Sequence, residues 1–206
     1  MTQTPPLSFV HRFEPGSDPT RPPILLLHGT GGDENDLLPL GRLIAPGSAL
    51  LSPRGQVLER GMPRFFRRLS EGVFDEDDIR RRAGELADFI VEARKAYRLA
   101  APIAVGFSNG ANIAAAVLLL RPEALDGAVL LRAMAPFRDP SKVDLTGKPV
   151  LLISGASDPI APAETVARLV AALSGAGAAV RREILPSGHQ LTEMDVALAK
   201  DWLARL

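Results

Sequence analysis

One serine in this chain lies on a turn that suits a nucleophile. In the segment VGFSNGANIAAAVLLLRP (105–122), Ser108 lies between Gly106 and Gly110, where a strand-like apolar run changes into a helix-like one. Glycines on either side of a serine allow the strained backbone of a sharp strand-to-helix turn that exposes the hydroxyl. A simple strand-to-helix connection with an incidental serine is the alternative. The apolar strand before the turn and the long helix after it favour a nucleophile.

A serine hydroxyl needs a base to take its proton, and the chain offers three histidines. His189 lies in LPSGHQLT, between the last predicted strand and the last predicted helix, at the strand end where parallel sheets place their sites. A plain loop or helix-entry residue is the alternative for His189. We expect His11, on an edge strand, to be solvated and His28 to brace the glycine-rich loop that follows it. His189 is therefore the predicted base.

The base in turn needs a carboxylate that orients it and stabilises the imidazolium. In LLISGASDPI, Asp158 comes directly after the carboxyl end of another apolar strand. It could instead cap the following helix or form an Asx turn before Pro159. Three other aspartates compete, but they lie near turns before strands or away from carboxyl ends of strands: Asp126, Asp139 and Asp144. The order serine, aspartate, histidine along the chain is that of α/β-hydrolases and favours Asp158.

Acyl transfer also requires hydrogen-bond donors for the developing oxyanion. We expect one donor to be the backbone N–H of Asn109, directly after the serine, and the other to be the N–H of Thr30 in HGTGG (28–32). A phosphate-binding loop is the alternative for HGTGG, but neither a GxGxxG nor a Walker pattern is present. The acidic runs DEND (33–36) and DEDD (75–78) are interpreted as helix starts rather than as ligands of a divalent metal. No metal site is predicted.

Short apolar runs alternate with helical patterns along nearly the whole chain, which indicates a mostly parallel α/β sheet. The predicted strands are LSFVHRFEP (7–15), ILLL (24–27), ALLSP (49–53), PIAVGF (102–107), GAVLLR (127–132), PVLLISG (149–155) and AAVRREIL (178–185). The predicted helices cover 75–99, 109–120, 161–173 and 192–206. We expect a three-layer α/β sandwich that forms a single domain over residues 1–206.

The composition of the chain argues against several classes of protein. Lysine plus arginine balance aspartate plus glutamate at 24 each, so no net charge favours nucleic acid or an anionic membrane. The absence of cysteine excludes disulfides, thiolate metal sites and a cysteine nucleophile. The N-terminus MTQTPPLSFV shows no signal peptide, and the apolar run IAAAVLLL is too short to span a bilayer. We therefore expect a cytoplasmic protein without membrane insertion or a nucleic-acid partner.

Together the motifs resemble the carboxylesterase/phospholipase branch of the α/β-hydrolases, which includes acyl-protein thioesterases and small bacterial esterases. The resemblance rests on LLLHGTGGDENDLLPL, LSPRG, FFRRLSEGVFDEDD, VGFSNGANIA, SGASDPIAP and SGHQLTEMD, which are spread over nearly the entire chain. It implies Ser108 as nucleophile, Asp158 as orienting acid and His189 as base. It also implies Thr30 and Asn109 as the residues whose backbone N–H groups form the oxyanion hole.

The chain departs from the eukaryotic thioesterase pattern at three places. Asn109 replaces the glutamine that usually follows the serine, threonine occupies the variable position of the HG loop, and SPRG replaces a longer proline-rich version. These changes point to the bacterial esterase subgroup that also contains proteins linked to hydroquinone and quinone response. They argue against lipidated-protein substrates.

The residues between Arg132 and Pro149 leave no room for a cap domain, so we expect an open site. Seven apolar residues could form its wall, with ordinary core packing as the alternative for each: Met62, Phe65, Phe66, Met134, Phe137, Ile160 and Leu191. The expected activity is hydrolysis of small-molecule carboxylic esters of short to medium acyl chains through an acyl-enzyme, without a cofactor.

Two other functions fit the same residues. A thioesterase or lysophospholipase would use the same machinery on a different bond. A non-catalytic hydrolase-fold protein with a binding or regulatory role is the alternative from another class, although a pure binder gains nothing from keeping the triad and both oxyanion positions together. Related small esterases often dimerise, so the resemblance also suggests a homodimer.

Overall fold

The apolar runs of the sequence become the strands of a central sheet in the computed structural model, which describes residues 7–70 and 72–206. In chain order the strands are β1 (His11–Glu14), β2 (Ile24–Leu27), β3 (Leu50–Pro53), β4 (Val57–Glu59), β5 (Met62–Arg64), β6 (Arg68–Ser70), β7 (Val73–Phe74), β8 (Ile103–Phe107), β9 (Gly127–Leu131), β10 (Pro149–Gly155) and β11 (Ala179–Leu185). The helices are α1 (Leu38–Ile44), α2 (Glu76–Tyr97), α3 (Asn109–Leu120), α4 (Ala163–Gly175) and α5 (Glu193–Leu203). The segment MTQTPP, part of the stretch interpreted above as lacking a signal peptide, lies outside the described residues.

Seven of the strands form the central sheet in the order β1-β3-β2-β8-β9-β10-β11, so β1 and β11 are its two edges. β1 runs antiparallel to β3, and every other neighbouring pair is parallel. The central strands β2 and β9 are buried along their whole length, which explains why ILLL and GAVLL are apolar on both faces. The loops after β2, β8, β10 and β11 all begin at the carboxyl ends of these parallel strands, on one side of the sheet, where α/β sheets place their ligands.

Helices cover both faces of the sheet. α2, α3 and α4 pack on one face, and α1 and α5 pack on the other, each face with its own apolar core. α3 is buried on nearly all sides because it lies between α2 and the strands, which accounts for its uniformly apolar sequence. Two helix layers around a mostly parallel sheet form the predicted three-layer α/β sandwich, and the prediction of the fold class is confirmed.

Two small hairpins occupy the excursion between β3 and α2. β4 pairs with β5 and β6 pairs with β7, both antiparallel. Arg60 and Gly61 both adopt positive φ, at 53° and 81°, as a tight two-residue hairpin turn requires. From Arg132 to Lys148 the chain forms neither helix nor strand. Residues 7–70 and 72–206 therefore contain no separate cap domain.

Among the described residues, none of the helices combines the length and the apolar character that crossing a membrane would require.

Candidate active site

The backbone around Ser108 makes a sharp turn between β8 and α3. Ser108 has φ 52° and ψ −114°, a conformation that non-glycine residues rarely adopt. A Cβ atom at Gly106 would lie 2.6 Å from the backbone N of Ala111, and one at Gly110 would overlap the carbonyl oxygen of Leu27. Only glycine fits at either position, because the turn brings strand and helix this close together. The turn therefore presents the Ser108 side chain at the carboxyl end of β8.

The structure brings together the serine, the histidine and the aspartate predicted from the sequence. His189 Nε2 lies 2.9 Å from Ser108 Oγ, and His189 Nδ1 lies 2.8 Å from Asp158 Oδ2. An ionised carboxylate only accepts hydrogen bonds, so Nδ1 carries the proton of the neutral imidazole and Nε2 accepts from the serine hydroxyl. The side chain of Asp158 is 1 % exposed and that of His189 is 14 % exposed. Ser108 Oγ therefore lies within hydrogen-bond distance of the imidazole nitrogen that could take its proton.

Asp158 uses both of its carboxylate oxygens. Oδ2 accepts from His189, while Oδ1 accepts from the backbone N–H of Ile160 at 2.8 Å and of Ala161 at 3.1 Å. The Asx turn, which was the alternative for Asp158, and the predicted pairing with histidine are thus present together. Burial alone would raise the pKa of Asp158, but the hydrogen bonds from His189 and from the two N–H groups outweigh it, so this pKa lies below its usual value.

Thr30 and Asn109, whose backbone N–H groups are the expected oxyanion donors, line the same small depression as Ser108. Thr30 follows β2, and Asn109 is the first residue of α3, where a helix leaves its N–H groups without internal acceptors. Neither N–H donates a hydrogen bond to another described residue. The positive end of the α3 dipole favours negative charge at this point. Both residues lie beside Ser108, and their role as oxyanion donors stays a prediction.

The strand β5 braces this region, which the sequence did not predict. The buried Arg64 donates from Nη1 to Thr30 Oγ1 at 2.8 Å, and the carbonyl of Pro63 accepts from Gly31 N–H at 2.9 Å. The next residue, Phe65, donates its N–H to Asn109 Oδ1 at 2.8 Å. The stretch from β5 to Phe65 is thus hydrogen-bonded to both loops that carry the expected oxyanion donors. The only feature of the sequence that drew attention to this stretch was the apolar pair Phe65 and Phe66, which follows Arg64.

The other two histidines have structural partners away from Ser108. His28 is buried, and its Nδ1 donates to the Gly29 carbonyl at 2.7 Å while its Nε2 accepts from Gly55 N–H at 3.0 Å. Burial lowers the pKa of His28 and keeps its imidazole neutral, consistent with a loop brace. His11, expected to be solvated, is half-buried instead, with Nε2 2.7 Å from the Tyr97 hydroxyl. The aromatic rings of α2 cover it.

The depression beside Ser108 has a volume of about 30 Å³ and a mixed lining. Two of the seven predicted wall residues, Met134 and Ile160, line it. Phe137 lines a neighbouring depression, and the two depressions share Gly72 and Phe74. The polar side chains that line the first depression were not predicted as wall residues: Arg64, Arg68 and Asn112.

The remaining four predicted wall residues lie around the site without lining this depression. Phe65 and Phe66 are buried in the core on the α2 face of the sheet. Leu191 is half-buried and packs against the opposite core, and Met62 is exposed with its sulfur beside Gly31. Substrate binding by any of these residues stays a prediction.

The acidic runs are engaged in turns and ion pairs. In DEND, Asp33 Oδ1 accepts from the N–H of Asn35 at 2.7 Å, and Glu34 pairs with Arg54 at 2.5 Å. In DEDD, Asp75 caps α2 by accepting from the N–H of Asp78. Within residues 7–70 and 72–206, no group of three or more histidine, cysteine, aspartate or glutamate side chains is arranged to hold a metal ion.

Comparison with known proteins gives consistent matches over almost the whole chain. Residues 10–206 match the model of the phospholipase/carboxylesterase family. A protein of Bacillus subtilis (strain 168) named "Putative hydrolase MhqD" is 46% identical over 194 residues, which is 93% of this chain and 96% of that protein. The crystal structure of the Bacillus cereus carboxylesterase matches with a TM-score of 0.93 and 46% identity, covering 96% of this chain and 94% of that one. Carboxylesterase from Mesorhizobium loti matches with a TM-score of 0.91 and 36% identity, covering 96% and 95%.

These matches confirm the family resemblance and the α/β-hydrolase fold. They also extend across every strand and helix that carries a predicted site residue. At the level of the family, the activity is that of a hydrolase of the carboxylesterase type. The chain belongs to the phospholipase/carboxylesterase family.

Proposed function

We propose that this protein is a serine hydrolase that cleaves small-molecule carboxylic esters of short to medium acyl chains through an acyl-enzyme. One observation carries the proposal: Ser108 Oγ, the His189 imidazole and the Asp158 carboxylate are linked by hydrogen bonds of 2.9 and 2.8 Å. A nucleophile bonded to a base that a third group orients is the arrangement on which nucleophilic catalysis depends.

In the acylation step, Ser108 Oγ attacks the ester carbonyl carbon and its proton passes to His189 Nε2. The bond from this carbon to the leaving oxygen then breaks, and His189 returns the proton to the departing alkoxide as it becomes an alcohol. Asp158 holds the imidazole in the required tautomer and stabilises the imidazolium. Its buried carboxylate, with both oxygens hydrogen-bonded, suits this role.

The N–H groups of Thr30 and Asn109 stabilise the negative charge on the carbonyl oxygen in each tetrahedral intermediate. In deacylation, water gives its proton to His189 and attacks the acyl carbon, and Ser108 leaves with that proton. The hydrogen bonds from Arg64 to Thr30 and from Phe65 to Asn109 support the placement of both donors before substrate arrives.

Two features support short to medium acyl chains. The depression beside Ser108 is small, and no cap domain covers it. A long acyl chain gains affinity only from methylenes that protein atoms bury, about 0.8 kcal/mol for each. An open site with a small depression buries few of them.

The proposal is tested with a fluorophosphonate probe and p-nitrophenyl acetate. The probe should label Ser108 alone, and the substrate should give a burst of p-nitrophenol equal to the enzyme concentration. Ser108→Ala should abolish labelling, burst and turnover while the protein stays folded. Ser157→Ala, which changes a serine next to the proposed acid, is the matched control and should keep the labelling. Labelling that persists in Ser108→Ala would place the nucleophile elsewhere.

A further inference from the structure

The bulkiest fully buried side chain among the described residues is that of an arginine. Arg132 follows β9, is 0 % exposed and has φ 56°. A guanidinium stays protonated in proteins, so Arg132 places a permanent positive charge inside the fold. A non-glycine residue in the left-handed region is uncommon as well. Both properties need an explanation that the proposed chemistry does not give.

The guanidinium is hydrogen-bonded to the loop that carries the proposed base. Nε donates to the carbonyl of Gly188 at 3.0 Å, and Nη2 donates to the carbonyl of Gln190 at 2.9 Å. These carbonyls belong to the residues directly before and after His189. Nη2 also donates to Ser187 Oγ at 3.1 Å. One side chain therefore holds the backbone on both sides of His189.

Asp195 in α5 holds Arg132 from the other side. Nη1 and Nη2 of the guanidinium donate to the two carboxylate oxygens at 2.6 and 2.9 Å, and the Asp195 side chain is 1 % exposed. Asp195 Oδ2 also accepts from the N–H and the hydroxyl of Thr192, at 2.7 and 2.8 Å. Nη1 and Nη2 of Arg132 are thus bound to the start of α5, while Nε and Nη2 also donate to the carbonyls on either side of His189.

Stability alone does not account for this pair. Replacing a buried ion pair by apolar residues of similar size is often neutral or stabilising, because the desolvation of two charges offsets their attraction. A planar guanidinium does supply donors in several fixed directions at once, which neither lysine nor an apolar side chain does. Here those donors reach one carboxylate and two backbone carbonyls that flank His189.

We propose that Arg132, held by Asp195, is a positioning residue that sets the location of His189 relative to Ser108. The inference rests on the proposed function, since it concerns the same base. Arg132 has no hydrogen bond to Ser108 or Asp158, and it acts through the histidine backbone. Displacing a catalytic group by about 1 Å can lower the rate about 10²-fold, so a loosened histidine loop affects kcat strongly.

The test uses the charge-balanced double variant Arg132→Met/Asp195→Asn, which leaves neither charge buried alone and keeps an oxygen for Thr192. We expect a folded protein in which kcat for p-nitrophenyl acetate is lower by about 10²-fold and KM changes by less than about threefold. The matched control is Arg42→Met/Glu14→Gln, which removes an exposed ion pair between α1 and β1 and should leave kcat unchanged. Thermal unfolding and circular dichroism of each variant establish that it is folded.

A mutant cycle that combines the double variant with His189→Ala separates a positioning role of Arg132 from a general effect on the structure. If Arg132 acts only through His189, the double variant should lower the residual hydrolysis of His189→Ala by less than about twofold, although it lowers the wild-type rate about 10²-fold. Equal losses in both backgrounds would overturn the inference, as would a folded double variant with wild-type kcat. If instead His189→Ala itself keeps full activity, the proposed function fails as well.

Arg132→Lys covers the case in which the double variant does not fold. Lysine keeps a cation beside Asp195 but lacks the planar set of guanidinium donors. We therefore expect kcat to be lower by about tenfold, between the wild type and the double variant, with KM nearly unchanged. Wild-type kcat in Arg132→Lys would overturn the inference.

Discussion

The carboxylate of Asp158 accepts three hydrogen bonds within the described residues. Its three donors are the His189 imidazole and the N–H groups of Ile160 and Ala161. Together they lower the pKa of Asp158 against the opposing effect of burial, so the carboxylate stays ionised when the pH falls moderately. An ionised partner is what an imidazole requires when it becomes positively charged during the reaction.

Replacing Asp158 by asparagine should therefore lower kcat by about 10⁴-fold while the fold is kept. The amide nitrogen would face His189 Nδ1 as a donor and favour the wrong tautomer. Asp144→Asn is the control, because the Asp144 carboxylate accepts from Thr146 in the loop before β10, away from Ser108. Steady-state hydrolysis of p-nitrophenyl acetate measures both variants. A fully active Asp158→Asn protein together with an inactive Asp144→Asn protein would mean that the orienting acid is misassigned.

His28 should make folding sensitive to pH. Its pKa is lowered in the folded protein, chiefly by burial, whereas a histidine in the unfolded chain takes up a proton near about pH 6.5. The unfolded state thus binds more protons below this pH, and the free energy of unfolding falls as the pH decreases. In His28→Gln this loss should be smaller, although the variant starts about 1–3 kcal/mol less stable at pH 7.5.

Urea unfolding of both proteins between pH 7.5 and pH 5 measures the effect. The difference in unfolding free energy between wild type and His28→Gln should narrow as the pH falls. Two free energies that decline in parallel would show that His28 does not carry the linkage.

Some site residues could be predicted from the sequence and others could not. The difference lies in how far along the chain each residue's contacts are. Ser108, Asp158 and His189 each lie shortly after the carboxyl end of an apolar strand, and these positions, together with their order along the chain, led to the prediction that they meet. Arg132 also follows an apolar run, but nothing local indicated its role, because its partners around His189 and in α5 lie 55 to 63 residues further along the chain. The bond between Arg64 and Thr30 spans 34 residues and was equally hidden. Such partners become visible only once the loops are placed.

The unit of β8, turn and α3 depends on tight backbone packing, which a pair of glycine variants tests. Gly110→Ala places a methyl group against the Leu27 carbonyl, so it should destabilise the protein by about 3 kcal/mol and displace Ser108. Gly84, inside α2, has no neighbouring atom within 4 Å of an added Cβ, so Gly84→Ala should stabilise by about 0.5–1 kcal/mol and leave activity unchanged. Chemical denaturation and ester hydrolysis measure both. A stable and active Gly110→Ala variant would contradict the observed approach of β2 and α3.

The elements that were missed are the short ones. The four longer helices lie within two residues of the predicted bounds at nearly every end, since their apolar spacing is sustained over several turns. α1 has seven residues and contains a proline and a glycine, which weaken its pattern. The strands β4 to β7 have two or three residues each, too few for alternation to appear. They are held by pairing across tight turns and by packing on the rest of the fold.

The open site beside Ser108 predicts which acyl chain length the protein prefers in an ester. Because no cap domain covers the site in the described part of the chain, we expect only the acyl carbons next to Ser108 to contact protein. We expect kcat/KM for p-nitrophenyl esters to peak at a short or medium acyl group and to be lowest at palmitate, because further methylenes stay in water. The measurement uses monomeric substrate below its micelle concentration at each chain length. A maximum at palmitate would favour a lipid substrate and a longer buried groove than the structure contains.

The class of the fold followed from the alternation of strands and helices, but the sheet order did not. Neighbours such as β2 and β8 are separated by almost eighty residues, and nothing local specifies their pairing. The antiparallel attachment of β1 to β3 was likewise not predicted beyond its position at an edge.

In the described part of the chain, β1 and β11 are the edge strands of an open sheet, and both carry charged side chains. β11 has Arg181, Arg182 and Glu183 in its middle, and β1 has Arg12 and Glu14. A strand from another molecule that paired with either edge would have to bring its own side chains against these charges and desolvate them. These edge charges should therefore disfavour growth of the seven-stranded sheet into a fibril-like stack of copies.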